Sequence, residues 1–191
     1  MITVQPQHRI YACFFFFART TGALMSRLPD IQDQLGVSKS QLGLTMIGMS
    51  IGSLLSLTFS SPLIARLGAR TTAFATVLGP ALLLAAIPWF GWAPAVFVIL
   101  FLTGILSGAL EINLNVEIDR LEAQYGKRFM NRAHGFWSVG FFVTALAGAT
   151  IRQSGLSPAA HMGLIAMLVV AVGGWLISGM RSAPLQEHRQ G

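Results

Sequence analysis

The sequence predicts an all-α membrane protein with six transmembrane helices. Of its 191 residues, 53% are hydrophobic and 10% are charged, whereas soluble domains carry about 25% charged residues. The mean hydropathy is +0.63, and apolar runs of about 20 residues, the length that crosses a bilayer, recur along the whole chain. These observations argue against a soluble enzyme, a disordered chain and a secreted disulfide scaffold. We expect the lipid bilayer to surround most of the chain.

The apolar runs form a single transmembrane domain over residues 1–191. We expect its helices at about residues 10–28, 41–64, 71–90, 94–117, 134–152 and 160–180. We expect the first run to be a membrane helix rather than a removable signal peptide, because it is long, lacks a small-x-small cleavage site and closes on the charged segment 27–30. Ser38 can cap the second helix, Pro88 and Pro94 belong to a tight turn, and Pro158 opens the sixth helix.

The distribution of basic residues predicts the orientation. Nine of the 13 basic residues lie on the side that holds both termini, the loop after the second helix and the loop after the fourth. Three lie on the opposite side, and Arg19 falls inside the first helix. Because cytoplasmic loops carry the excess of Lys and Arg, both termini are expected in the cytoplasm. The basic residues occur in ones and twos without a basic stripe, so we expect no nucleic-acid partner.

Neither metal nor enzyme chemistry is indicated. Cys13 is the one cysteine, so the chain can form no intrachain disulfide and no cysteine-based metal site. The sequence contains no Gly-x-Ser-x-Gly elbow, no His-Glu-x-x-His pair and no second carboxylate near Glu111 within a span. We therefore expect no catalytic residue, no metal and no cofactor.

Glu111 is the strongest candidate for a functional residue. It lies inside the fourth predicted span, where an ionisable side chain is costly and therefore marks a candidate site. Spacings of three and four place Gly104, Ser107, Gly108 and Asn115 with it on one small, polar face, which should look into a protein interior or a water-filled cavity. A carboxyl group in this setting can bind and release a proton. The alternative is that Glu111 reaches the cytoplasmic interface or forms a structural pair.

Two further polar residues stand out. Arg19 lies at the middle of the first predicted span, where an unpaired guanidinium would cost at least about 3 kcal/mol. It must find a partner, a cavity or an anionic substrate, so a pair with Glu111 and a substrate-binding role both remain open. His134 opens the fifth span and could relay protons, or it could be an ordinary interfacial residue.

Small residues recur at four-residue spacing in two of the predicted helices. They are Gly48, Gly52 and Ser56 in the second helix, and Gly140, Thr144 and Gly148 in the fifth. Such faces are primarily sites of close helix packing and only secondarily substrate passages.

The loop between the second and third helices resembles a known family signature. It reads SPLIARLGAR over residues 61–70. This is similar to the signature loop of the major facilitator superfamily, Gly-x-Leu-Ala-Asp-Arg-x-Gly-Arg followed by a basic residue. The matching positions are Leu63, Arg66, Gly68 and Arg70, and the departures are Ser61, Ala65 and Ala69. The match falls in the cytoplasmic loop where the family carries its signature.

The resemblance extends to a fucose-permease-like bacterial branch of that superfamily. The matching positions are the segment 27–31, Leu35 to Ser38, Leu42, Gly43, Glu111, Asn115, Glu122, Met130, His134, Ser138 and Gly140. The likeness implies one half of the superfamily fold, built from two inverted three-helix repeats. It further implies a bacterial inner membrane, a sugar–proton symporter, and a cavity that Glu111 faces and that Arg19 could also line.

Two function hypotheses follow. The first is a secondary active transporter, or half of one, that moves a small polar solute with proton coupling by alternating access. Alternating access needs two bundles, so a six-helix half requires a second half, supplied by a self-dimer or by a separate chain. The alternative is a truncated, non-transporting membrane protein or an assembly partner that lacks the second six-helix half.

Overall fold

A computed structural model describes residues 5–67 and 69–178, without the side chains of residues 61–65, 67, 69 and 70. Its seven described helices are α1 (Pro6–Ser26), α2 (Leu28–Leu35), α3 (Lys39–Leu67), α4 (Ala69–Ala86), α5 (Ala93–Tyr125), α6 (Met130–Gln153) and α7 (Pro158–Ser178). A 3-10 turn, Ile87–Trp89, follows α4. The described part of the chain contains no β-strand, which confirms the all-α class.

The six predicted spans correspond to α1 and α3 to α7, and the short helix α2 was not predicted. Five described helices, α3 to α7, are long and apolar enough to cross a membrane. Helix α1 is not among them, because Arg19 and a polar first turn lower its apolar content. That α1 is also a membrane span therefore stays a prediction.

Several helix ends differ from the predicted ones. Helix α5 continues two turns past residue 117, because residues 118–125 favour a helix and Gly126, with φ of 62°, provides a left-handed C-cap. Helix α6 begins four residues early, since the Glu122 carboxylate accepts hydrogen bonds from the backbone N–H groups of Phe129 (2.5 Å) and Met130 (2.8 Å). Helix α4 ends at Ala86, where the proline-containing 3-10 turn replaces the expected last turn.

Two parallel helix pairs form the body of the bundle. Helix α3 packs on α5, where Gly48 lies against Phe97 and Gly52 lies against Phe101. Helix α6 packs in the same way on α1, with Gly140 against Phe15. Because the contacting residues ascend together along both helices, each pair runs parallel. The predicted close-packing faces are confirmed. Because glycine has no side chain, the helix backbones can approach each other closely at these positions.

Helices α4 and α7 complete the bundle on one side of the two pairs. Helix α4 packs against α5 and α7, and α7 also packs against α1. The main apolar cluster lies among these helices and includes Phe14, Val77, Leu110, Leu114 and Val169. Helices α1 and α5 have few direct contacts with each other. This separation leaves space for a cavity between the two pairs.

Large apolar side chains are exposed along two helices. On α3 they include Leu44, Ile47, Ile51, Leu54, Leu57 and Phe59, and on α6 they include Phe136, Val139, Phe142, Val143 and Leu146. A soluble monomer rarely exposes contiguous apolar surface of this extent. The surface is that of a membrane protein.

Candidate functional site

A cavity of about 360 Å³ lies between the two helix pairs. Its lining residues are Phe14, Phe17 and Thr21 from α1, Met49 and Ser53 from α3, Ser107, Glu111 and Leu114 from α5, and His134 and Trp137 from α6. The cavity is therefore lined by aromatic rings, hydroxyl groups, one carboxyl group and one imidazole. Its volume is within the range of small-molecule sites.

The cavity brings together two of the predicted site residues, Glu111 and His134. Ser107 and Glu111 are four residues apart on α5, so both side chains leave the helix on the same face and enter the cavity. His134 enters from the second turn of α6 and meets the ring of Phe14 edge-on, with ring centroids 5.1 Å apart. Glu111 and His134 are both exposed rather than enclosed in the apolar core. Their role in transport stays a prediction.

Arg19 does not line this cavity, contrary to the expectation from the family resemblance. Phe17 and Thr21 line the cavity. Arg19 is two residues from each, about 200° around the helix, and therefore lies on the opposite side of α1. The Arg19 Nε instead donates a hydrogen bond to Thr144 Oγ1 on α6 at 3.2 Å. Its guanidinium carbon lies 5.0 Å from the ring centroid of Phe15 and 5.5 Å from that of Phe16.

The open alternative of an Arg19–Glu111 ion pair is not realised in the structure. The ion pairs among the described residues join Arg27 and Arg152 to Asp30, and Arg120 to Glu117. Thr144 and the faces of two phenylalanine rings partly compensate the Arg19 charge, since aromatic faces attract cations. The prediction that Arg19 needs a compensating environment holds, but the environment is an interhelical one.

Asn115 lies near the cavity without lining it. It is half-buried, and its Oδ1 atom is buried without a hydrogen-bond partner in the described part of the chain. Gly108, seven residues earlier, packs against Ser53 and Ser56 on α3, so Asn115 lies on the face of α5 that is turned toward α3. The predicted polar face thus divides into a packing side and a cavity side.

The signature-loop positions can be placed only in part. Arg66 lies in the last turn of α3 and is exposed. Gly68 and the side chains of Leu63 and Arg70 lie outside the described residues. The proposed likeness of this loop to the family signature therefore depends on the sequence.

The structure reveals a polar cluster at the end of α1 that the sequence interpretation missed. Arg27 is 1% exposed, and its three donor groups are all used. Nε donates to His161 Nδ1 at 3.0 Å, and the two terminal nitrogens donate to Asp30 Oδ2 at 3.2 Å and to the carbonyl oxygen of Leu156 at 3.0 Å. Arg152 at the end of α6 also contacts Asp30, at 3.0 Å. We call Arg27, Asp30, Arg152 and His161 the corner cluster.

The corner cluster joins two distant parts of the chain. Arg27 connects α1 to α2 and Asp30 lies in the first turn of α2, whereas Arg152 and His161 flank the connection between α6 and α7. The sequence contained one signal, the charged pair Arg27 and Asp30 around Leu28-Pro29, but its partners lie more than 120 residues later. The segment that matches the family pattern has a structural function here.

The chemistry available in the cavity is binding and proton exchange. Its carboxyl and imidazole groups can each take up and release a proton, and its hydroxyl groups can orient a polar solute. Among the residues that the structure describes, no group of three or more His, Cys, Asp and Glu residues could hold a metal ion. The arrangement resembles a solute-binding site more than a reaction centre.

Comparisons with known proteins give one consistent assignment. Residues 10–190 match the family model described as Major Facilitator Superfamily. The chain is similar to an uncharacterized transporter of Sinorhizobium fredii, with 26% identity over 151 residues that cover 78% of this chain and 40% of that protein. It is also similar to an uncharacterized MFS-type transporter of Yersinia pestis, with 26% identity over 161 residues that cover 82% of this chain and 41% of that protein. No solved structure matches the chain.

Proposed function

The chain belongs to the major facilitator superfamily, and from this membership we propose that it is a secondary active transporter, or half of one, for a small polar solute. In this proposal transport is proton-coupled and proceeds by alternating access in the bacterial inner membrane. Two relatives named as transporters support transport over the non-transporting alternative. The observation that carries the proposal is the cavity between the helix pairs, with Glu111 and His134 in its wall.

Glu111 is the proposed proton-binding group. It is the one carboxyl group among the residues that line the cavity, and it lies near the middle of α5. A proton or a solute that enters the cavity can therefore reach the same side chain. His134 lies in the same wall on α6 and is the proposed proton relay.

The helix arrangement supports six spans in two inverted repeats. If α1, α3 and α4 form the first repeat and α5, α6 and α7 the second, each parallel pair joins the first helix of one repeat to the second helix of the other. Exchange of the two repeats converts the α1–α6 pair into the α5–α3 pair. This correspondence is what a two-fold relation between repeats produces. With α1 included, the two repeats contain six spans. The basic residues support cytoplasmic termini.

A second six-helix half is part of the proposal. The chain spans about 40% of the length of the curated relatives that it matches. Alternating access moves two bundles against each other around a central site, and the described cavity is lined from one bundle. We propose that a second copy, or a half encoded elsewhere, faces α1, α3, α5 and α6.

Proton flux in sealed vesicles tests the proposal. Vesicles that contain the chain and a trapped pH-sensitive dye receive a hexose, an organic amine or a carboxylic acid from outside. We expect at least one class to drive proton movement, and Glu111→Gln to abolish it while the amount of protein in the membrane stays the same. Asp119→Asn, which removes an exposed carboxylate from the same helix, is the matched control and should retain the flux. Absence of flux with all three classes, or unchanged flux in Glu111→Gln, would contradict the proposal.

A further inference from the structure

The charge that this chain contributes to the cavity restricts the solute that it can bind. Among the described lining residues, the side chains that can carry a charge are Glu111 from α5 and His134 from α6. The lining positions on α1 and α3 contribute no titratable group, and Arg19, the basic residue inside α1, lies on the other side of its helix. Among the residues that the structure describes, an ionised Glu111 has no ion-pair partner. An anionic solute would meet a site of its own sign, which is unfavourable where apolar walls weaken screening.

The aromatic lining favours a cation over a sugar. Phe14, Phe17 and Trp137 supply aromatic rings to the cavity, and the faces of aromatic rings attract organic cations. The Trp137 ring is held by a stacked contact with Phe141, with centroids 5.5 Å apart and an interplanar angle of 10°. A sugar would need several paired donors and acceptors for its hydroxyl groups. The described lining offers three hydroxyl groups, one carboxyl group and one imidazole, but no amide and no guanidinium group, the groups that could pair with two sugar hydroxyl groups at once from one side chain besides Glu111.

We propose that the cavity binds a monovalent organic cation with an apolar or aromatic body, its charge against Glu111 and its body against Phe14, Phe17 and Trp137. This inference rests on the proposed transport function and names its substrate class. It differs from the sugar that the family resemblance implies. The sugar rests on the resemblance alone, whereas the cation is inferred from the cavity lining, from which Arg19 is directed away toward Thr144.

The same geometry defines the coupling. The Glu111 carboxylate can neutralise one positive charge at a time, so a cation that binds to the protonated carboxyl group displaces its proton. One O–H bond breaks, one proton leaves, and one carboxylate–cation contact forms. Charge is conserved because one positive charge replaces another. Proton and solute therefore compete for one group, which produces exchange of the two in opposite directions rather than symport.

Equilibrium binding to the 191-residue chain in lipid nanodiscs tests this assignment. The probes are benzyltrimethylammonium, whose charge is independent of pH, the anion benzoate and the neutral sugar galactose, each measured by titration calorimetry. We expect benzyltrimethylammonium to bind and to release a proton into a weakly buffered solution, and neither of the other probes to compete. Its affinity should fall as the proton concentration rises, because proton and cation compete for the same carboxylate.

Variants separate the contributions of charge and ring. Glu111→Gln should weaken cation binding at least about 30-fold, because the charge attraction is lost, whereas Glu111→Asp should largely retain it. Trp137→Leu, which keeps an apolar wall without a ring, should weaken binding about tenfold. Protonation of His134 would also repel a cation, so His134→Asn must still show the pH dependence if Glu111 is the competing group. Asp119→Asn is the control and should bind as the wild type does.

The binding of the three probes and the effect of Glu111→Gln decide between the inference and its alternatives. Competition by galactose or benzoate, absence of benzyltrimethylammonium binding, or equal binding by wild type and Glu111→Gln would each overturn it. The selectivity of the wild type decides the matter even if a variant fails to fold. Galactose-driven proton flux that requires Glu111 would leave the proposed function standing and remove the cation assignment. Cation binding that requires Glu111, without flux in vesicles, would support the cation assignment and contradict transport by this chain.

Discussion

Replacing Arg27 with alanine removes the centre of the corner cluster. The side chain is 1% exposed and donates hydrogen bonds to His161, Asp30 and the carbonyl oxygen of Leu156. Alanine supplies none of these donors. His161 is 2% exposed, so water cannot easily reach the space left beside it to replace the lost hydrogen bond. The change therefore removes the link between the α1–α2 connection and the α6–α7 connection.

The expected loss follows from the groups that lose their partner. A buried polar group left without a hydrogen bond costs about 1–3 kcal/mol. His161 Nδ1 is buried and the Leu156 carbonyl is partly buried, so together they account for about 3 kcal/mol. Asp30 keeps its contact with Arg152 and adds little. For a chain of this size, the loss corresponds to a fall in Tm of about 6–12 °C.

The single cysteine provides the assay. Cys13 is 4% exposed and lies in the main apolar cluster, so a thiol-reactive fluorescent dye labels it only when that cluster opens. Thermal unfolding of the detergent-solubilised chain, followed by dye fluorescence, yields Tm without introducing a reporter residue.

Arg152→Ala is the matched control for Arg27→Ala. Arg152 belongs to the same cluster and binds the same carboxylate, but its side chain is 42% exposed. An exposed ion pair contributes about 0–1 kcal/mol, so its removal should lower Tm by less than about 4 °C. A Tm for Arg27→Ala within about 2 °C of the wild type, or an equal fall for Arg152→Ala, would refute the reasoning that burial determines the contribution of the arginine.

Two further predictions concern helix packing and capping, and the same thermal assay checks both. Gly52→Ala should destabilise the chain by about 2 kcal/mol, because the added Cβ overlaps the backbone of Phe101. Gly43→Ala, at a position with open space around its Cβ, should be neutral or stabilise by up to about 1 kcal/mol; equal effects would argue against close packing of α3 on α5. Glu122→Ala should lower Tm, since two backbone N–H groups at the start of α6 lose their acceptor. Glu122→Gln keeps an acceptor oxygen and should lower Tm less, so an equal fall in both variants would count against the cap.

The positions of the membrane helices could be predicted from the sequence because hydrophobicity is a local property. A run of about 20 apolar residues identifies a span without knowledge of its neighbours. The glycine spacings in α3 and α6 are local in the same way, and both predicted faces pack closely. Helix ends were less accurate, because α6 begins where Glu122, a residue of the preceding helix, caps it.

The partners of Arg19 and Arg27 could not be predicted, because they depend on which helices become neighbours. Arg19 binds a residue 125 positions later, and Arg27 binds residues 129 and 134 positions later. Nothing in the local pattern distinguishes an arginine directed into a cavity from one directed between two helices. The sequence interpretation treated Arg19 as a candidate for the site and Arg27 as an orientation signal, whereas the structure buries Arg27 more completely.

The position of Glu111 depends on glycines that have no chemical function. Gly104 and Gly108 bring the backbone of α5 against α3, next to Met49 and Ser53. Gly104 lies two turns before Glu111 on α5, and Gly108 lies three residues before it. The same two α3 residues also line the cavity, so the glycine contacts set the distance between the walls on either side of the carboxyl group. A larger side chain at Gly104 would push α5 away from α3 and displace Glu111 with it. Such a substitution should therefore weaken solute binding even though it leaves every polar group of the cavity in place.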